Sequence, residues 1–306
     1  MKKIHDYSRL IIIGNGFDLM HGLPTSFTEN FKSIAQDFEQ GSEFWDYYGH
    51  GDDLWSSFEV SLGSPDFNEL FEILSSYYPD YLSDHEYDRD GIITQVDLVG
   101  HLKEALNAFA SAAEEEIYDI EPLKKVENFF TTKDFFVSFN YTSTIETIYK
   151  VKHDKVFYPH GKIGESELIM GYEKGEFYPE PIYEVIMDRL PPRKHANVKE
   201  YIDDIEDYYV RTAYENLYDK VYSFNKTPKI HDLLSFIDGI KITEIIIIGH
   251  SCKIDFKYFE TINNNFNEVK WTFFYHSDDD LENARLLCDH LGLDKSRVSL
   301  IKNNFK

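Results

Sequence analysis

Residues 10–27, LIIIGNGFDLMHGLPTSF, decide how this chain is read. Ile11 to Ile13 is an apolar β-branched run of the kind that forms a strand buried on both faces. Gly14 and Gly16 follow at once, and glycines at the end of a buried strand let the backbone turn sharply and come close to a phosphate. Gly14-Asn15-Gly16 is half of a dinucleotide fingerprint; Leu19 stands where the third glycine of GxGxxG belongs, and Gly22 is too late to replace it. Taken alone, the half motif also fits an ordinary tight turn from strand to helix. The added segment Gly22-Leu23-Pro24-Thr25-Ser26 lengthens that turn into a loop able to fold over a ligand. Asp18 lies inside it, either as a capping carboxylate or as a group on the ligand.

Working outward, Thr28 to Gln40 reads as an amphipathic helix with Phe27, Phe31, Ile34 and Phe38 on one face. From Gly41 to about Thr132 the pattern is helical and acidic, with a tryptophan segment, DDLWSSFEVSLG, at Asp52 to Gly63 and a boundary near Gly91. Strands are expected at Asp134 to Phe139 and Val156 to Tyr158, and a further apolar run lies at Leu168 to Met170. From Phe177 to about Ile240 the chain is again helical and rich in Tyr, Asp and Glu. The strongest later strand, Glu244 to Ile248, precedes a helix at Asp255 to Asn264, a strand at Trp271 to Tyr275, a helix at Asp279 to Leu291 and a last strand at Val298 to Ile301. Strands alternating with helices and turning at glycines predict an α/β fold, a parallel Rossmann-like sheet flanked by helices. Residues 1–306 are expected to form one domain, with helical insertions at about 41–132 and 177–240.

In an open parallel sheet the carboxyl ends of the strands converge on the ligand crevice, so the residues that follow each strand are the candidates. Asn140 stands where the second strand ends; its amide can orient a water or hold a carboxamide, or it can bond its own backbone in a turn. His160, between Pro159 and Gly161, can act as a general base near neutral pH or serve structurally. Gly249-His250-Ser251 with Asp255 repeats the strand–glycine–hydroxyl–helix arrangement, in which Ser251 either caps the helix or meets a phosphate or ribose. Arg285 and His290 match the Arg-x4-His spacing of some helical ribonucleases, but that spacing arises readily by chance and falls inside the α/β pattern.

The chain has 31 basic residues against 55 acidic ones, a net charge of −24. Such a surface works against a nucleic-acid partner, which needs clustered Lys and Arg, yet leaves room for a small anionic ligand at local backbone amides. Cys252 and Cys288 lie in apolar contexts and read as buried free thiols. Two cysteines exclude a four-cysteine zinc site, and no metal is expected. With no signal peptide and no run of 18 apolar residues, a soluble cytoplasmic protein without a membrane partner is expected.

Each motif is weak alone, but their order is specific. IIIGNGFDLMHGLPTSF, LWSSFE, SFNYTSTIE, PHG and IIIIGHSCKID together resemble the AbiH family of bacterial phage abortive-infection proteins, and more distantly the SIR2-like superfamily of NAD-binding proteins. The resemblance implies an antiphage effector with an NAD pocket, a phage-derived protein as trigger, and room for a homo-oligomer. It assigns Gly14, Asn15 and Gly16 to the pyrophosphate and Asp18 and Gly161 to the pocket lining. Asn140 would lie near the nicotinamide ribose and its attacking water, and His160 would be the general base. Gly249 and Ser251 would approach the adenosine half, and Asp255 would belong to the pocket. SIR2-like chains carry Asp two places after the Asn; here Thr142 stands there. The zinc-binding cysteines of the deacetylase branch are absent, so the reaction implied is cleavage of the nicotinamide–ribose bond by an NAD glycohydrolase. A nucleotide-binding sensor without turnover is the alternative.

Overall fold

The computed structural model describes residues 8–38, 45, 48, 54–82, 89–98, 101–173, 183–184, 193–194 and 197–305. The chain divides into two compact units, one comprising Met1–Ser26, Asn107–Ile169 and Pro228–Lys306, the other Phe27–Leu106 and Met170–Thr227.

The first unit is built on a six-stranded sheet of β1 (Ser8–Ile13), β2 (Phe135–Ser138), β3 (Val156–Phe157), β4 (Ile242–Ile248), β5 (Lys270–Tyr275) and β6 (Val298–Lys302). All neighbours run parallel, in the order β3-β2-β1-β4-β5-β6. Ile11 to Ile13 pairs with Phe136 to Ser138 on one side and with Ile246 to Ile248 on the other, which makes β1 a central strand.

Side chains alternate across a strand, so a central parallel strand must be apolar on both faces. Leu10 and Ile12 join Val137, Ile245, Ile247, Phe259, Trp271 and Leu287 in one core. Ile11 and Ile13 join Phe17, Val126, Phe136, Ile145, Ile246 and Ile248 in the other. Helices α1 (Asn15–Met20), α2 (Leu102–Glu116), α3 (Lys124–Phe129), α4 (Thr144–Tyr149), α5 (Ile230–Ile237), α6 (Phe256–Asn265) and α7 (Asp278–His290) connect or flank the strands. The strand order reverses between β1 and β4, and open sheets of this order take ligands outside the carboxyl ends at that point. The parallel Rossmann-like α/β architecture expected from the sequence is the one observed.

Asp134 stays out of β2 because its carboxylate is held from the side: Arg9 Nε and Nη2 donate to it at 2.8 and 2.5 Å, and Thr131 N at 2.7 Å. The apolar run Leu168 to Met170 forms no strand.

In the second unit the expected helix at Thr28 to Gln40 divides into a π-helical stretch, Phe27–Phe31, and an α-helix, Lys32–Phe38. The expectation for residues 39 and 40 falls outside the described residues. The wider π turn leaves the Phe27 and Phe31 rings 5.4 Å apart. The tryptophan segment supplies Trp55, stacked on Phe58 at 5.0 Å, and Trp45 stands at 5.3 Å from the same ring. Of the helical stretch expected from 177 to 240, the described part holds Val198–Asp203 and Tyr208–Ser223 in this unit, while α5 belongs to the first. Strand pairs of two residues each, Tyr172–Glu173 with Asn225–Lys226 and Tyr183–Glu184 with Arg193–Lys194, interrupt the helical pattern. Two residues carry no period, so such strands leave no trace in a sequence. No described helix is long and apolar enough to cross a membrane.

Candidate functional site

The segments that follow β1, β2, β3 and β4 carry the residues expected at a nucleotide: Gly14 in the turn and Asn15 to Asp18 in α1, Asn140, His160 with Gly161, and Gly249 to Asp255. They form two polar clusters.

The first cluster surrounds Asp18. β1 passes into α1 with only Gly14 between them, which turns the Asp18 side chain inward, where it is 1 % exposed. Thr142 Oγ1 donates to Asp18 Oδ2 at 2.5 Å, and the Thr142 and Thr144 hydroxyls are 3.0 Å apart. Asp18 Oδ1 makes no hydrogen bond. Burial pushes the carboxyl up to about 6; Thr142, Thr144 and the Asn140 amide oppose that rise in part, and Glu114 adds to it. A carboxylate from α1 thus stands beside Thr142 and accepts from its hydroxyl. Asn140 is 4 % exposed; among the described residues neither its Nδ2 nor its Oδ1 reaches hydrogen-bond geometry, though the amide lies close enough to Asp18 to favour its charged form. An unmatched buried polar group costs about 1–3 kcal/mol, so this amide calls for a partner that both donates and accepts.

The second cluster is His160–Asp255–His250. His160 Nε2 lies 2.9 Å from Asp255 Oδ1, and His250 Nε2 lies 3.4 Å from Asp255 Oδ2. Asp255 is fully buried. The two clusters meet at the end of β2: Phe139 and Tyr141, on either side of Asn140, stand 5.2 and 6.2 Å from the His160 ring. The Asn140 amide between them acts on Asp18.

The glycines serve loop packing first. Gly14 N donates to Ile248 O at 3.2 Å and Gly16 N to Gly249 O at 2.8 Å. A Cβ on Gly16 would stand 2.9 Å from Gly249 Cα, and one on Gly14 would stand 2.7 Å from His250 Cα. Both amides are thus engaged within the protein rather than turned to an anion. Asn15 Nδ2 donates to Thr25 O at 2.6 Å, which ties the Gly22–Ser26 segment back onto the turn. Gly161 has φ +83, and a Cβ there would strike Glu167 O. Ser251 is exposed; its Oγ only approaches Lys253 N at 3.5 Å, and Asp255 rather than Ser251 occupies the cap position of α6.

Sequence reasoning missed several supporting groups. Glu114 on α2 accepts from Ser143 N at 2.8 Å and from Ser143 Oγ, fixing the loop after β2. Glu146 accepts from Lys162 Nζ at 2.5 Å and Tyr158 Oη at 2.9 Å. Burial pushes the Glu146 carboxyl up, but hydrogen bonds from Lys162, His153 and Tyr158 outweigh it and the net shift is downward. The run of hydroxyls Thr142-Ser143-Thr144 was the one legible sign of this network; its carboxylate partners come from distant segments. The ribonuclease-like pair is otherwise engaged, Arg285 with Glu282 at 3.4 Å and His290 with Glu260 at 2.7 Å. Among the described residues no group of three or more His, Cys, Asp or Glu could hold a metal ion.

An open parallel sheet with this strand order and buried polar side chains at its carboxyl edge defines a doubly wound α/β protein, a class of fold that takes ligands outside the carboxyl ends of its strands. The profile of the family described as "Bacteriophage abortive infection AbiH" matches residues 10–275, and the chain belongs to that family. No curated protein matches the chain. Among solved structures it is similar to a Sir2 protein described with a deacetylated peptide and 3'-o-acetyl ADP ribose, at 11 % identity over 94 % of each chain and a TM-score of 0.33.

Proposed function

We propose that this phage abortive-infection protein hydrolyses the nicotinamide–ribose bond of NAD. The observation that carries the reading is the Asn140 amide, buried at the carboxyl end of β2 beside the Asp18 carboxylate, with neither polar atom in hydrogen-bond geometry among the described residues. Cleavage of an N-glycosidic bond passes through an oxocarbenium-like state, so the site needs no strong nucleophile. It needs water excluded, an oriented amide and a proton acceptor.

Asn140 would hold the attacking water or a ribose hydroxyl, His160 would accept the proton, and the Asp18 negative charge would favour the developing cation. Ser251 is exposed beyond Gly249, as a group meeting the adenosine half must be. With Gly14 and Gly16 amides engaged by β4, the pyrophosphate would meet Asn15 and the rim of the crevice instead. Loss of NAD would stop the metabolism of an infected cell, which accounts for abortive infection by such an enzyme.

The test is nicotinamide release from NAD by the purified protein, alone and in extracts of phage-infected cells. The native chain should release it, and Asn140→Ala and His160→Ala, checked to be folded at the assay temperature, should each lower the rate about 100-fold or more. NAD-dependent stabilisation with no release under either condition would identify a nucleotide sensor instead.

A further inference from the structure

We infer that Asp255 is a positioning residue, which fixes His160 in the tautomer that presents Nδ1 as the proton acceptor, with His250 bracing the same carboxylate. The inference rests on the proposed hydrolysis only for the use made of the lone pair, not for the tautomer itself.

Hydrogen-bond polarity settles the assignment of protons. A carboxylate only accepts, so the 2.9 Å contact between His160 Nε2 and Asp255 Oδ1 places the proton of a neutral His160 on Nε2. His160 Nδ1 then carries the lone pair, and it has no hydrogen-bond partner among the described residues. His250 is fixed by the opposite argument. Its Nδ1 accepts from Cys252 N at 3.0 Å, so its proton is on Nε2, which faces Asp255 Oδ2 at 3.4 Å. Asp255 thus accepts from His160 at Oδ1, with the His250 N–H as a looser contact 3.4 Å from Oδ2.

The backbone is bent to hold it there. Cys252 and Asp255 have φ +60 and +67, left-handed conformations that cost a non-glycine residue on the order of 1 kcal/mol each. The surroundings exclude water: Phe139 stands edge-on to both imidazoles at 5.2 and 4.7 Å, and Phe259 stands 5.1 Å from His250. A buried carboxylate behind an imidazole both sets its tautomer and stabilises the imidazolium that forms.

In the reaction a water O–H bond breaks and its proton moves to His160 Nδ1. The water oxygen bonds the ribose C1 carbon, and the C1–N bond breaks with its electron pair leaving on nicotinamide. Asp255 stays ionised beside the imidazolium, which then loses its proton to solvent.

The test uses the full-length protein. Nitrogen-15 NMR of labelled histidines, with the His160 signal identified by its loss in His160→Gln, should show Nε2 protonated and Nδ1 unprotonated in the native chain. Asp255→Asn puts an amide donor opposite Nε2 and should move the proton to Nδ1, while lowering kcat about 10²–10⁴-fold with KM changed less than threefold. A native His160 protonated on Nδ1, or an Asp255→Asn chain that keeps both the native tautomer and the native kcat, would overturn the inference. If no nicotinamide is released by the native protein, the tautomer measurements still decide the role of Asp255, and only the glycohydrolase reading fails.

Discussion

Asp18 is held at a cost to the fold, and that cost is measurable through pH. Its carboxyl is raised from 3.8 to about 6, chiefly by burial. Between those values the folded chain binds more protons at this group than the unfolded chain, so the contribution of Asp18 to stability falls as pH rises from about 4 to 6. Asp18→Asn removes the titration while keeping an oxygen to accept from Thr142. The variant should therefore gain stability over the native protein across that window, reaching roughly 2–3 kcal/mol at pH 7, with little difference at pH 4. Urea unfolding of both chains at pH 4 and pH 7 measures it; an equal difference at both pH values would show that Asp18 is not perturbed by burial. Under the glycohydrolase reading the same substitution should lower nicotinamide release. A group that weakens the fold and strengthens the reaction is the pattern expected of a functional carboxylate.

At the scale of elements, the loops after β1 and β4 act as one clamp. Gly16 N binds Gly249 O, and Gly249 has φ +69, with no room for a Cβ against the Gly16–Phe17 backbone. Gly249→Ala combines a left-handed backbone with a clash against main chain that cannot swing aside, and should destabilise the chain by about 3 kcal/mol or more. Thermal melting checks this, and a variant within 0.5 kcal/mol of native would mean that the two loops are not packed as described. Element by element, β1, β2, β4, β5, β6, α6 and α7 were legible because an apolar run or an apolar period marks each in consecutive residues. Asn140 and His160 were legible as candidates because they follow the strands expected at Asp134 to Phe139 and Val156 to Tyr158, and Asp255 because it opens the helix after β4. What stayed hidden was partnership: nothing in the local pattern near Asp255 says that its carboxylate reaches His160, 95 residues away. Nor does the sequence around Gly16 say that its amide is taken up by another loop rather than left for a phosphate.

For the whole molecule, the excess of 55 acidic over 31 basic residues sets a self-repulsion that salt screens. Raising sodium chloride from about 0.02 M to 0.2 M should lift the melting temperature by a few degrees; a fall would show that attractive ion pairs such as Arg9–Asp134 and Lys162–Glu146 dominate instead. The sequence by itself determined the sheet, its parallel sense and the edge at which polar residues gather. Burial of apolar strands and the turning of chain at glycine are short-range properties, written in consecutive residues. Only the tertiary structure decided which carboxylate serves which partner: Asp18 with Thr142, Asp255 with His160, Glu114 with Ser143. Those pairings depend on strand order and on the depth of each side chain, and hydrogen bonds formed across 29 to 124 residues leave no period in the chain.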